Sequence, residues 1–179
     1  TYPFSFLVTD LANRRYGPAI ARKVVFVGFM TAVVCSIVIP PLLFRYHLIE
    51  FETAANRLVR IAAASGTAFL TAQLLDVTVF NRLRRQSWWR APIFGTLTGS
   101  VFDTMVFFTI AFSGAFAFAG PNDAFALESA PLLGIFPVES MRWFSWALGD
   151  LTVKLLIAIF ALIPYRLIVA RWTRSTVTA

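Results

Sequence analysis

Long apolar runs separated by short polar connections dominate this chain. Four apolar segments lie between its charged residues, at 24–44, 61–81, 91–119 and 143–165. A helix needs about 20 apolar residues, each rising about 1.5 Å, to cross a membrane. The pattern therefore predicts four membrane-spanning helices. A fifth apolar stretch, at residues 1–13, is too short to cross alone, and we expect it to be a partial helix whose beginning lies upstream.

The composition agrees with this pattern. The 179 residues are 58% hydrophobic and only 14% charged, and the mean hydropathy is +0.72. These values lie outside the range of an ordinary soluble domain. The sequence predicts an all-α integral membrane protein, a polytopic helical bundle that forms a single transmembrane domain over residues 1–179, with the lipid bilayer as its surroundings.

The net charge of +7 has a topological explanation. The basic residues lie in short connections between apolar runs and do not form one face, so we expect no nucleic-acid partner. By the positive-inside rule the most basic connections face the cytoplasm, which predicts a multi-pass protein with a cytoplasmic C-terminus. These connections contain Arg14, Arg15, Arg22 and Lys23, then Arg82, Arg84, Arg85 and Arg90, and finally Arg166, Arg171 and Arg174.

Several ionisable residues fall inside the apolar segments. Asp103 lies about 20 Å of helix beyond Arg90, in a hydrocarbon core about 30 Å thick. Asp150 and Lys154 lie at a similar depth when measured from Arg142. A charge at this depth costs at least about 2.5 kcal/mol and normally faces a partner, a pocket or a water-filled path. Asp150 and Lys154 are spaced i, i+4, so Lys154 either neutralises Asp150 or pairs with Asp103 across the bundle.

A glycine stripe precedes Asp103. Gly95, Gly99 and Asp103 follow one another at i, i+4 and i+8, with Ser100 alongside, so they share one helix face. Glycines on such a face allow close approach either of a neighbouring helix or of a flat ligand beneath Asp103. Both interpretations remain open from the sequence.

A second polar group lies on the preceding segment. Gln73 and Asp76 are spaced i, i+3, and Phe69 and Phe80 each lie four residues from one of them. An amide, an acid and aromatic rings on one face suit a planar ligand that forms hydrogen bonds, but they also suit polar contacts between helices. Asp10 and Arg14 form a further i, i+4 pair, for which we expect a structural clasp.

No enzyme signature is present. The sequence has no glycine-rich phosphate loop, no metal-binding motif of the H-E-x-x-H kind and no nucleophile beside a convincing base. Its single cysteine, Cys35, lies within an apolar run. We therefore expect neither an enzyme nor a protein with a metal or other cofactor.

Three blocks of the sequence resemble a known family. They are TDLANRRYGPAIARKVVFVGF, RIAAASGTAFLTAQLLDVTVFNRLR and WWRAPIFGTLTGSVFDTMVFFTIAF, accompanied by the later Asp150 and Lys154. This combination is similar to the queuosine precursor transporters, also called the vitamin uptake transporter family. The resemblance implies a six-helix bacterial inner-membrane protein that imports 7-cyano-7-deazaguanine or its 7-aminomethyl relative. It also implies that a first helix and part of the second lie upstream of this chain.

The implied substrate suggests roles for the candidate residues. A 7-deazaguanine presents a ring NH beside an exocyclic amine, and a carboxylate can accept both. Asp103 or Asp76 would supply that carboxylate, Gln73 an amide and Phe107 a stacking surface. Gating or proton coupling would fall to Asp150, Lys154 and Asp10. The full predicted substrate-binding set is Asp103, Gln73, Asp76, Phe107, Asn81 and Ser100.

Three functional classes remain open. The first is a self-sufficient secondary transporter, either monomeric or a homodimer. The second is the substrate-capturing subunit of an energy-coupling-factor importer for a vitamin-like molecule. The third is a membrane scaffold without transport, whose buried polar groups only specify helix packing.

Overall fold

The computed structural model describes residues 2–48 and 55–175. Within them the chain forms six helices of α type and one β-hairpin. The bounds are α1 Tyr2–Tyr16, α2 Pro18–Arg45, α3 Ala55–Leu83, α4 Arg90–Phe112, α5 Ala124–Leu127, β1 Ser129–Leu132, β2 Phe136–Met141 and α6 Arg142–Ser175. The predicted all-α membrane fold is confirmed. Four helices among the described residues, α2, α3, α4 and α6, are long and apolar enough to span a membrane.

A single glycine separates the first two helices. Gly17 separates α1 from α2 with a φ of 85°, a left-handed conformation that glycine adopts readily. Pro18 then begins α2, a position where its missing N–H costs nothing. This turn places α1 against α2, and α1 also contacts α3, α4 and α6. The short helix α1 is therefore central to the bundle.

The hairpin of α3 and α4 is the most closely packed part of the bundle. A Cβ added at Gly99 would lie 3.3 Å from the carbonyl oxygen of Ala72, and one added at Gly95 would lie 3.6 Å from that of Asp76. The backbones approach this closely because small residues face each other, as is usual between membrane helices. The predicted glycine stripe is thus a packing surface for α3.

The predicted segment 91–119 contains a break. Helix α4 ends at Phe112, and a 3-10 helix continues over Gly114–Ala119. Ser113 between them is extended, and its side chain accepts a hydrogen bond from the Ala115 N–H. Arg60 of α3 donates to the carbonyl oxygens of Ile110 and Ser113, at 2.8 and 2.7 Å, and also to that of Gly120. Since the last carbonyls of a helix have no partner within it, this buried arginine stabilises the break.

The stretch after the 3-10 helix folds onto the start of α6. Strands β1 and β2 pair antiparallel, and the Leu133 N–H in their connection donates to the Ser145 hydroxyl at 3.0 Å. Arg142 forms an ion pair with Glu128 at 3.2 Å. We call this side of the molecule the hairpin end.

Basic residues gather at the opposite side, the basic end. Arg14 of α1 donates to the carbonyl oxygens of Arg84 and Trp88 in the α3–α4 turn and to the Tyr165 hydroxyl of α6. The Arg166 guanidinium lies 5.2 Å from the centroid of the Trp88 ring. Three of the connections predicted to share one membrane face therefore meet there. The side chain of Arg174 lies outside the described residues.

Candidate functional site

An ion cluster lies between α4 and α6. The Lys154 ammonium of α6 donates to Asp103 Oδ2 of α4 at 2.6 Å, to the Thr104 hydroxyl at 3.2 Å and to Asp150 Oδ2 one turn back on α6. The Thr104 hydroxyl in turn donates to Asp150 Oδ2 at 2.9 Å. Of the two sequence interpretations of Lys154, the structure shows both contacts at once.

Two of the three charged residues in the ion cluster are buried. Lys154 is 8% exposed and Asp103 4%, whereas the Asp150 side chain is 34% exposed. One ammonium faces two carboxylates, and all three of its donors are used. Buried charges are tolerated when they are paired in this way. A ligand that satisfied Asp103 by other donors could take the place of Lys154, which would still hold Asp150.

A second polar group links α1 to α3. The Gln73 amide donates to the Ser5 hydroxyl at 2.7 Å and accepts from the Thr9 hydroxyl at 3.0 Å. The Asn13 amide donates to the Val77 carbonyl oxygen at 3.0 Å. Helix α1 therefore occupies the face of α3 on which the sequence predicted a planar ligand, and Gln73 is engaged by protein groups.

The third group is a pair of acids. Asp10 of α1 and Asp76 of α3 are 2% and 0% exposed, and they lie at the same level of the two helices, between the Thr9–Gln73 and Asn13–Val77 hydrogen bonds. Neither oxygen of Asp76 has a hydrogen-bond donor within the described part of the chain, and neither does Oδ1 of Asp10. We call these two residues the acid pair. The expected ion-pair clasp between Asp10 and Arg14 is not found among the described residues, because Arg14 binds the α3–α4 turn and Tyr165.

The glycine stripe has no room for a ligand. The Phe6 ring of α1 covers Gly99, where an added Cβ would lie 2.7 Å from Phe6 Cε1. Gly95 is covered by the Asp76 carboxylate. The structure thus supports helix packing over the alternative of a flat ligand beneath Asp103.

Two predicted residues lie apart from these contacts. Asn81 is half-buried near the basic end of α3, five residues beyond Asp76. Ser100 is 1% exposed, one turn before Asp103 and Thr104 on α4, and its hydroxyl has no partner among the described residues. Neither residue contacts Lys154 through a hydrogen bond.

Phe107 belongs to an aromatic row that leads away from the ion cluster. It lies one turn beyond Asp103 and contacts Phe108, with ring centroids 5.1 Å apart. Phe108 contacts Phe112, and Phe112 meets Trp146 of α6 with a centroid separation of 5.7 Å. Trp146 lines a cavity of about 540 Å³ at the hairpin end, together with Phe125, Arg142 and the β-hairpin connection. The row therefore extends from the ion cluster toward an open cavity.

Sequence reasoning missed several of these residues. Ser5 and Thr9 have no role in the predictions from the sequence. They are spaced i, i+4, and Asp10 follows directly, so these three residues form a polar row on a short apolar helix. The sequence gives Arg60 no role, because nothing local shows that a buried arginine would bind the end of α4. The sequence does not link Trp146 to Phe112 either, because their contact joins two helices that are distant in the chain.

Comparison with known proteins assigns the chain to a family. A family model described as "Putative vitamin uptake transporter" matches residues 1–169. The chain belongs to this family. No solved structure matches it significantly.

Three curated relatives carry related names. The "Queuosine precursor transporter" of Escherichia coli strain K12 is 38% identical over 168 residues, which cover 92% of this chain and 67% of the relative. A "Probable queuosine precursor transporter" of Haemophilus influenzae is also 38% identical, with 92% and 63% covered. A third, of Bacillus subtilis, is 35% identical over 126 residues, with 64% and 55% covered.

These relatives bear on two earlier predictions. All three are named as transporters, in agreement with the prediction that the chain is not an enzyme. The chain spans about two thirds or less of their length. For this member of the vitamin uptake transporter family, the described helices therefore account for a part of the relatives' architecture, and the six-helix count stays a prediction.

Proposed function

We propose that this protein imports a 7-deazaguanine queuosine precursor, 7-cyano-7-deazaguanine or its 7-aminomethyl form, as a secondary transporter of the bacterial inner membrane. The class of cargo is supported by the names of relatives that match 92% of the chain. The observation that carries the mechanism is Lys154, buried between Asp103 and Asp150 inside the bundle. The predicted cytoplasmic C-terminus places the basic end inward, and a homodimer stays a prediction.

The ion cluster offers an exchange of partners at Asp103. The ring NH and exocyclic amine of a deazaguanine are two parallel donors that match a carboxylate. In the structure Asp103 is satisfied by Lys154, so a substrate must displace the ammonium to bind there. Lys154 keeps Asp150 as a partner one turn away on its own helix. After the exchange Asp103 and Lys154 each still have a hydrogen-bond partner, although the charge of Asp103 is no longer balanced by a cation.

The aromatic row provides a path to this position. Planar heteroaromatic rings stack on Phe and Trp side chains, and such contacts add about 0.5–1.5 kcal/mol to area burial. The cavity at the hairpin end has a volume of about 540 Å³, within the range of small-molecule pockets. We infer that the substrate enters at this cavity and passes Trp146, Phe112 and Phe107 to reach Asp103.

The test combines a protein variant with a substrate variant. Purified full-length protein is reconstituted in liposomes, and binding and uptake of 7-cyano-7-deazaguanine are compared with those of 7-cyano-7-deazahypoxanthine, which lacks only the exocyclic amine. Loss of a hydrogen bond to a charged group costs about 1.5–3 kcal/mol. We expect Asp103→Asn to bind 7-cyano-7-deazaguanine about tenfold to a hundredfold more weakly and to lose its preference over 7-cyano-7-deazahypoxanthine.

The matched control is Glu139→Gln, which removes an exposed acid on β2 and should leave both measurements unchanged. Wild-type affinity and selectivity in Asp103→Asn would exclude Asp103 as the residue that recognises the substrate. Binding without uptake by the protein alone would favour a capture subunit that needs an ATPase partner. Absence of any ligand-induced thermal stabilisation would favour the scaffold.

A further inference from the structure

The acid pair is accommodated differently from every other buried charge that the structure describes. Asp10 and Asp76 face each other with almost no solvent exposure, and three of their four oxygens have no hydrogen-bond donor among the described residues. Two ionised carboxylates in contact inside a low-dielectric bundle repel each other strongly. A carboxyl–carboxyl hydrogen bond forms only when one of the two groups carries a proton, because an ionised carboxylate cannot donate.

Neither acid of the pair forms an ion pair among the residues that the structure describes. The charged group that faces it most closely is Arg14, one turn along α1 from Asp10. Each of its three guanidinium nitrogens donates elsewhere, to the Tyr165 hydroxyl and to the carbonyl oxygens of Arg84 and Trp88. From α6 the titratable group is the Tyr165 hydroxyl, which is neutral, and from α4 the nearest polar group is Thr96. The pair is therefore left to bind a proton.

A small cavity adjoins Asp10. It lies between α1, α4 and α6, is lined by Asp10, Thr96, Ala158 and Tyr165 among others, and has a volume of about 20 Å³. A cavity of this size holds one water molecule when polar partners line it. Asp10, Thr96 and Tyr165 supply such partners, so the site has room for the water that would deliver or remove a proton.

We propose that Asp10 and Asp76 form a proton-binding site in which the two carboxyl groups share one proton, and that this proton is the ion coupled to import. Proton binding does not depend on the proposed function, whereas its coupling to import rests on it. Two acids that share a site hold a proton more tightly than either would alone, because both cannot be ionised at once.

The geometry links this site to the ion cluster. Thr96, Ser100 and Asp103 lie at i, i+4 and i+7 on one face of α4, so the acid pair and Asp103 are about 10 Å apart along the helix. The Ser100 hydroxyl between them is buried without a partner among the described residues. On α6, Ala158 of the small cavity lies one turn beyond Lys154.

The distance between Asp103 and the acid pair is short enough for substrate binding at Asp103 to affect proton binding at the pair. When 7-cyano-7-deazaguanine, which carries no charge, takes the place of the Lys154 ammonium, the negative charge of Asp103 keeps its hydrogen bonds but is no longer balanced by a cation. An uncompensated negative charge at this distance favours a proton on the acid pair. Substrate and proton therefore favour each other's binding, which is the behaviour of a symporter.

The proton is tested directly by infrared spectroscopy of the full-length protein in lipid. We expect the wild type at neutral pH to show the carbonyl stretch of a protonated carboxyl group, and Asp76→Asn and Asp10→Asn each to lose it. Asp103→Asn, whose carboxylate is held by an ammonium in the wild type, should retain the band. Absence of the band from the wild type, or its persistence in Asp76→Asn, would overturn the proposal. If a variant does not fold, the wild-type spectrum alone still shows whether a protonated carboxyl group is present.

Coupling is tested by accumulation of 7-cyano-7-deazaguanine in liposomes with and without an inward proton gradient. For the wild type we expect more accumulation with the proton gradient than without it. For Asp76→Asn we expect the two accumulations to be about equal. An unchanged ratio in Asp76→Asn, or accumulation driven by a Na⁺ gradient at constant pH, would overturn the coupling. If the substrate fails to bind the wild type while the infrared band is present, the proposed function fails and the proton site stands.

Discussion

The ion cluster and the acid pair place carboxylates at two depths of one bundle and stabilise them by opposite means. Asp103 and Asp150 share a lysine, and Thr104 completes the network. Asp10 and Asp76 have each other and no donor on three of their four oxygens among the described residues. The first arrangement keeps charges that a polar ligand can exchange. The second can be stable only as a protonated form, so its natural ligand is a proton.

The position of the helices explains the difference. Helix α6 brings a long side chain with an ammonium to α4, so a cation reaches Asp103 from across the bundle. Helix α1 brings Ser5, Thr9, Asp10 and Asn13 to α3, and its arginine is one turn too far along to remain with Asp10. Arg14 instead holds the α3–α4 turn at the basic end. The same residue types thus give a paired site in one place and a proton site in the other.

Removing the cation should have the largest effect. Lys154→Met leaves Asp103 buried without a partner, and breaking a buried ion pair from one side costs about 3–5 kcal/mol. We expect the free energy of unfolding in mixed micelles to fall by that amount. Combining Lys154→Met with Asp103→Asn and Asp150→Asn should recover most of the loss. If Lys154→Met is as stable as the wild type, Asp103 is not a buried carboxylate that needs the lysine. The ion cluster and the acid pair would then not differ in how they stabilise their acids.

The sequence predicted the fold better than the site for a physical reason. Helices follow from runs of apolar residues, which are local, and the all-α membrane fold could be predicted from these runs. The depth of Asp103 and Lys154 also follows from residue counting, so their meeting could be anticipated. The proximity of Asp10 and Asp76 could not be anticipated, because it depends on the position of α1 along α3 after the turn at Gly17. The break after Phe112 depends on Arg60, which is distant in sequence.

A methyl group at Gly95 tests the acid pair without changing any charge. Its Cβ would clash with Asp76 Oδ1, so the carboxylate must move away from its present position beside Asp10. Overpacking of this kind costs about 1–3 kcal/mol. We expect Gly95→Ala to lose stability in this range and to weaken the dependence of uptake on the proton gradient. Both are measured as for the variants above.

Gly149→Ala is the matched control for that substitution. Gly149 precedes Asp150 of the ion cluster, and nothing lies within 4 Å of a Cβ added there. Alanine is more favourable than glycine inside a helix by about 0.5–1 kcal/mol, so this variant should be equally or more stable. An equal loss in both variants would show that helix flexibility is responsible, and not the displacement of Asp76.

Substitution of Thr104 should cause the smallest loss of stability. It measures how much the Thr104 hydroxyl contributes to the ion cluster. Its hydroxyl donates to Asp150 and accepts from Lys154, at 2.9 and 3.2 Å. Thr104→Val keeps the shape and removes both hydrogen bonds, while Lys154 retains two carboxylates. A hydrogen bond to a charged group is worth about 1.5–3 kcal/mol, but Asp150 is partly solvated, so we expect a loss of about 1 kcal/mol in the free energy of unfolding. Thr104→Ser keeps the hydroxyl and should retain most of the stability. If Thr104→Val matches Thr104→Ser, Lys154 alone holds the two acids together, and the ion cluster depends on a single side chain as completely as the acid pair depends on a single proton.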